Sequence, residues 1–309
     1  MEDLVLQHEV STLAGSRTCA ELDRRRKKGG CRHHRFGILT DLNRDLREFL
    51  DRPPYRIIFS DPQERREIIE LMGQVELIEP VIEGLEYFRE QDRHTYRHSL
   101  MVFALSTLLA RHLYRDDQRS LLGALAGPSH DFGKICIPPQ VLQKRTPLTR
   151  LESSLLKHHA VAGYVLLAYY TGDFEHLTAR VALEHHERHD GSGYPRGIAN
   201  FDEMVEIVVV GDMYDALISP RPYRPVSFDN RSALEELTRM AQNGQIGWVV
   251  LKALVAFNRR QRPDLYDCEI SLESRGHPPL DNVYGMIAED DRESERHTSG
   301  ETATRPKIV

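Results

Sequence analysis

Two runs of residues limit this chain more than any others: His130-Asp131-Phe132-Gly133-Lys134, and His185-His186-Glu187-Arg188-His189-Asp190-Gly191-Ser192-Gly193-Tyr194-Pro195. Ten of the fifteen histidines fall between His94 and His189. A hydrophobic core has no need of imidazole at that density, and one ion does not take so many ligands. Whatever the chain folds into must carry these residues on separate elements and aim them at one place. Imidazole with carboxylate suits Zn, Fe, Mn or Ni rather than Ca or Mg. The first inference is a hydrolytic site with two or more metals.

The elements that would carry them read as helices. From about residue 60 to 265 apolar residues recur at helical spacing, as in Ile68, Ile69, Met72, then Val75, Leu77, Ile78, then Val81, Ile82, Leu85, Phe88. His94 to Tyr114 continues as a helix, and His94 and His98 share a face at i and i+4. A shorter helix around Leu121 to Asp131 ends in the His-Asp pair. Thr149-Arg150-Leu151-Glu152 is a capping-box signature that opens a helix toward Tyr170. His159 sits on that helix. A helix from about Phe174 delivers His185 and His186 near its end, and residues 190–197 must then form a loop. Met204 to Ile218 carries Asp212 and Asp215 at i and i+3, and two more helices are expected near 229–242 and 246–258. No run of alternating strands is read. The expected fold class is all-α, and helices aiming such groups inward is how bundles build dinuclear sites.

Three regions are expected. Residues 1–52 form a small N-terminal helical or regulatory region, with the basic run Arg24 to Lys28 and a helix capped by Thr40 or Asp41 that turns Leu42, Leu46, Phe49 and Leu50 to one side. Residues 60–265 form the catalytic domain. Residues 281–309 contain no Leu, Phe or Trp and read as a flexible tail. A net charge of −6 argues against a binder of nucleic-acid polymers. No apolar run approaches the roughly 20 residues that span a bilayer. The four cysteines, Cys19, Cys31, Cys136 and Cys268, are too scattered for a disulfide framework, and Cys19 and Cys31 with His33 and His34 lack a zinc-site spacing. With no signal-peptide pattern at the N-terminus, a cytoplasmic protein is expected.

The order His98, His130-Asp131, Asp212 resembles the HD phosphohydrolase superfamily. His159-Ala160-Val161-Ala162-Gly163, His185-His186-Glu187, the literal Gly193-Tyr194-Pro195, Asp212-Met213-Tyr214-Asp215 and Arg221-Pro222-Tyr223-Arg224 are similar to its HD-GYP family. The quotable motifs run from about Thr95 to Tyr223. The resemblance implies an all-helical bundle that hydrolyses cyclic di-GMP to pGpG or GMP, using hydroxide generated at two metals. It further implies that His98, His130, Asp131 and Asp212 hold one ion, that His159, His185 and His186 hold the other, and that Asp131 bridges them. Lys134 would meet the scissile phosphate or the attacking hydroxide. Tyr194 would shape the substrate pocket, and Arg221 and Arg224 would meet the ligand's phosphates.

The chain departs from the family at two places. Some members carry a glutamate four residues before the first helix histidine and bind a third metal; here that residue is His94, so two metals are expected, or three if His94 ligates. Gly127-Pro128-Ser129 stands where the family continues an apolar helix, and Pro128 is expected to distort the last turn before His130. Asp215 is expected beside the ligands, either orienting a histidine or Lys134 or coordinating directly. Iron or manganese is favoured over zinc or nickel. His158, His176 and His189 read as surface residues. The competing expectation is a catalytically weak cyclic-dinucleotide binding module that signals through a protein partner at its N-terminal region.

Overall fold

The computed structural model describes residues 31–220, 226–259, 261–277 and 279. The basic run at Arg24 to Lys28, Cys19, Arg221, Arg224 and the tail at 281–309 lie outside those residues. The described chain opens with strand β1 (His33–Arg35), a 3-10 turn and helix α1 (Thr40–Leu50), then short α2 (Tyr55–Ile58) and α3 (Pro62–Gln74). Helix α1 buries the expected Leu42, Leu46, Phe49 and Leu50. Its cap is Leu39 rather than Thr40 or Asp41. The turn before it is tied instead by Asn43, whose side-chain amide donates to the carbonyls of Phe36 (2.6 Å) and Leu39 (3.0 Å). Asp61 caps α3 by accepting from the backbone N–H groups of Gln63 and Glu64, with Pro62 in the first turn.

Strand β2 (Glu76–Ile78) follows and pairs antiparallel with β1, His33 opposite Ile78. This corrects the helical reading of Val75, Leu77 and Ile78. So short an apolar run carries no decisive period, and the distant β1 supplies the ladder that selects strand. Next come α4 (Glu79–Gln91), α5 (Arg93–Tyr114) and α6 (Asp117–Ala126). After α6 the residues Gly127–Ser129 tighten into a 3-10 turn, so Pro128 shortens the helix by narrowing its last turn. Short α7 (Pro139–Leu142) leads to α8 (Arg150–Lys157), which opens on the expected capping box of Thr149 and Glu152. The single helix read from Thr149 to Tyr170 is two, because α8 ends at His158 and α9 (His159–Thr171) begins beyond it. The chain closes with α10 (Leu177–Glu184), α11 (Glu203–Ile218), α12 (Asn230–Gln242) and α13 (Trp248–Phe257).

The described residues thus form the expected all-α bundle with one two-stranded sheet. Helices α5 and α11 run through its middle. Fifteen of the 22 residues of α5 and fourteen of the 16 of α11 are buried, so both are enclosed over most of their length and the polar groups there face the interior. Phe36, Leu42, Leu46, Phe49, Leu50, Tyr55 and Ile58 belong to the same continuous core as α5 and α11. Phe36 sets its ring edge against Phe103 at 5.0 Å, and the Tyr96 hydroxyl donates to Asp45 at 2.9 Å. No described helix is long and apolar enough to cross a membrane.

Candidate metal centre

Five elements converge on one buried place. Helix α5 supplies His98, the turn after α6 supplies His130 and Asp131, and α9 supplies His159 from its first residue. His185 and His186 stand just beyond the end of α10, and α11 supplies Asp212. Ligand atoms of His98, His130 and Asp212 lie within 4.8 Å of one another, and so do those of His159, His185 and His186. Asp131 stands between the two groups. Its Oδ2 is 3.6 Å from His98 Nε2 and 3.4 Å from His130 Nε2; its Oδ1 is 3.4 Å from His159 Nε2 and 3.9 Å from His185 Nε2. One carboxylate therefore faces both groups, with one oxygen to each. Among the described residues, Cys31, His33 and His34 join no such group.

The tautomers test whether metal fits. His130 Nδ1 lies 2.7 Å from the Gly127 carbonyl, His159 Nδ1 2.6 Å from Leu156 and His185 Nδ1 2.9 Å from Ala182. A carbonyl only accepts, so each Nδ1 carries the hydrogen and each Nε2 keeps a bare lone pair. The lone pairs of His159 and His185 face one another at 3.2 Å, His186 Nε2 lies 3.2 Å from that of His159, and His98 Nε2 lies 3.3 Å from that of His130. Bare nitrogens aimed together in a buried site repel unless a cation sits among them. The donor set therefore fits divalent ions, with the backbone carbonyls orienting each ring.

The same burial sets the charge states. Burial, then the neighbouring imidazoles, pushes His185 down to about 3, and burial pushes His159 down to about 4. Burial and His185 hold His186 well below its ordinary value. Against the cost of burial, Lys134 and His130 hold Asp131 well below the usual carboxylate range, and His98 does the same for Asp212. Metal-free protein is accordingly expected to lose stability as pH falls from about 6.5 toward 4. The unfolded histidines take up protons there while folded His159 and His185 do not, so stability rises with pH, by roughly 3 kcal/mol from His159 alone. His98, raised by Asp212 and Asp215 despite its burial, offsets part of this because its contribution is present below 6.5 and fades above. Denaturant midpoints of chelated protein at pH 7 and pH 4.5 measure the balance; equal midpoints would contradict this account of the histidine cluster.

Asp215 lies behind the first group. Its Oδ2 takes His98 Nδ1 at 2.6 Å and Arg97 Nη2 at 3.4 Å, and Oδ1 takes the Tyr55 hydroxyl. That places Asp215 where it orients the ring of His98, a candidate ligand. Lys134 Nζ lies 2.6 Å from Asp131 Oδ2. His94 stands one turn before His98, ring centroids 6.3 Å apart, and is outside both groups. Tyr194 stacks on His186 at 4.5 Å, with Lys157 Nζ 5.1 Å from its ring centroid. Sequence reasoning gave no role to Tyr55, Arg97 or Glu187. Buried Glu187 holds the 190–197 loop by accepting from the backbone N–H of Arg196 (2.8 Å) and Ile198 (3.0 Å). Gly193 lies so close beneath it that a Cβ there would sit 2.4 Å from Glu187 Cα. Of the histidines read as surface, His158 is exposed. His176 caps α10 by accepting from the backbone N–H of Thr178, and His189 stacks on Phe201 at 4.3 Å.

Residues 85–248, just over half of the chain, match the HD domain family. The chain belongs to that family. Its motifs are those of the HD-GYP branch, and divalent metal binding goes with an HD domain. This HD-domain chain is 38% identical over 162 residues to a cyclic di-GMP phosphodiesterase of Thermotoga maritima, covering 52% of this chain and 43% of that one. It is 43% identical over 119 residues to a cyclic di-GMP phosphodiesterase response regulator of Xanthomonas campestris, covering 38% and 32%. It is 37% identical over 134 residues to a 3'3'-cGAMP-specific phosphodiesterase of Vibrio cholerae, covering 42% and 28%. The chain spans less than half the length of each of these relatives.

Proposed function

We propose that this chain is a metal-dependent phosphodiesterase that opens cyclic di-GMP to linear pGpG, with GMP following from a second cleavage. The observation that carries the reading is Asp131, one oxygen of which faces each of two separate imidazole groups. His98, His130, Asp131 and Asp212 would hold one ion, and His159, His185, His186 and Asp131 the other. Two divalent ions would clamp the phosphoryl oxygens and make hydroxide available near neutral pH. Iron or manganese suits this mixed imidazole and carboxylate set.

The chain's own residues do the rest. The Lys134 ammonium, held at the edge of the centre by Asp131, lies where it can meet a phosphoryl oxygen and offset the charge that develops there. Tyr194, braced by His186, offers a ring for a guanine base. Arg221 and Arg224 supply guanidinium groups for the ligand's phosphates.

A related reading, hydrolysis of another cyclic dinucleotide, is favoured by one observation: the chain matches the cGAMP-specific enzyme of Vibrio cholerae at 37% identity, close to the 38% of the cyclic di-GMP enzyme of Thermotoga maritima. The test is hydrolysis of cyclic di-GMP and 3'3'-cGAMP by purified protein, with metal content determined on the same sample. Turnover with two metals per chain is expected, faster on cyclic di-GMP; the reverse order would move the assignment to the second substrate. Tight nucleotide binding without turnover across Fe, Mn, Zn and Ni would sink the enzyme reading and leave the binding module.

A further inference from the structure

The segment that precedes the matched domain reaches the metal centre. Tyr55 opens α2 and is 1% exposed. Its hydroxyl donates to Asp215 Oδ1 and lies 3.2 Å from Ser219 Oγ, which can donate to it. The other oxygen of Asp215 takes His98 Nδ1 at 2.6 Å and Arg97 at 3.4 Å. Asp215 is itself fully buried.

A phenylalanine would fill the core at residue 55 as well as tyrosine does, so packing alone does not account for the hydroxyl. Burying one costs free energy unless it is bonded. What the bond does follows from carboxylate geometry. With only Oδ2 engaged, Asp215 could swing about its last torsion. The phenol on Oδ1 fixes that torsion, so that Oδ2 stays aimed at His98. A fixed acceptor keeps a hydrogen of His98 on Nδ1 and leaves its Nε2 directed toward His130 and Asp212.

We infer that Tyr55, outside the matched residues 85–248, is a positioning residue for the metal group formed by His98, His130 and Asp212, acting through Asp215. The inference rests on the two-metal reading proposed above. No described contact links Tyr55 to His159, His185 or His186, so its effect falls on one ion of the pair.

The test uses the full chain carrying Tyr55→Phe, loaded with Mn2+ and equilibrated against a graded series of chelator. Metal per chain is read at each step, with thermal unfolding of metal-free protein alongside. Wild-type protein is expected to hold two ions. Tyr55→Phe is expected to hold one of them about 10-fold more weakly, the scale of losses seen when a partner behind a ligand is removed. Its content then drops to one per chain at a chelator strength where wild type still holds two. Phe49→Leu, a core change on the same segment, serves as the control for loosening and is expected to leave both affinities in place. Unchanged affinities in Tyr55→Phe, equal weakening of both ions, or the same selective loss in Phe49→Leu would overturn the inference. A wild-type chain that never holds two ions would instead remove the two-metal reading on which it rests.

Discussion

Asp131→Ala is expected to abolish turnover and to strip the protein of both metals. Asp131 alone is shared between the groups, Oδ2 toward His98 and His130 and Oδ1 toward His159 and His185. Among the described residues it is also the only carboxylate that pairs with the second group, whereas Asp212 pairs with His98. Without it the first group keeps two imidazoles and Asp212, the second keeps three neutral imidazoles, and nothing negative holds the two cations close together. Metal-assisted stabilisation worth several kcal/mol corresponds to a fall of about 10^3-fold in kcat/KM. Asp131→Asn keeps the shape and a lone pair but loses the charge, so it is expected to fall nearly as far while retaining more metal. The measurement is kcat/KM with metal content on the same samples, and circular dichroism to show that the helices persist. Activity within 10-fold of wild type in Asp131→Ala would refute the bridging role.

How much of this was legible in the sequence depends on where each signal resides. The seven candidate ligands were legible because their chemistry is in the residue type and their order along the chain is fixed; the structure brings all seven to one place. Asp215 was legible as a neighbour, being one turn from Asp212 on a strongly apolar helix. The hydrogen bond to Tyr55 was not, because 160 residues separate the partners and only tertiary packing joins them. Arg97 hid behind the ordinary reading of a charged residue on a helix, although it stands next to His98. Glu187 is quoted in the motif, yet its work is to take two backbone N–H groups, and backbone acceptance leaves no pattern in side chains. The strand at Glu76–Ile78 escaped because its partner lies at His33–Arg35, far from any local window. The break at His158 escaped too, since apolar spacing continues across it and a single residue separates α8 from α9.

Gly133→Ala is expected to cost both stability and the second metal. Gly133 follows the His-Asp turn by two residues, and α9 passes directly over it. A Cβ there would lie 2.0 Å from the carbonyl oxygen of His159 and 2.4 Å from the backbone nitrogen of Gly163. Both are helix backbone and cannot rotate away as a side chain would, so α9 must withdraw as a unit and take His159 with it. Overpacking of this kind costs about 1–3 kcal/mol and more where nothing can yield. A displacement of about 1 Å at a catalytic group can cost 10^2-fold in rate. His159 also carries the lone pair that both His185 and His186 face, so its retreat opens the second group while leaving His98, His130 and Asp212 in register. The expected signature is a lowered denaturant midpoint, metal content falling from two to one, and kcat reduced by about 10^2-fold. Gly163→Ala supplies the contrast: its Cβ would meet the Ala182 methyl group at 3.1 Å and the Gly133 backbone nitrogen at 3.2 Å, tight contacts that a shift of a few tenths of an ångström relieves. It should be the milder variant on every readout. If Gly133→Ala matched wild type in midpoint and metal content, the close crossing of α9 over the His-Asp turn would be wrong, and with it the route by which His159 reaches Asp131.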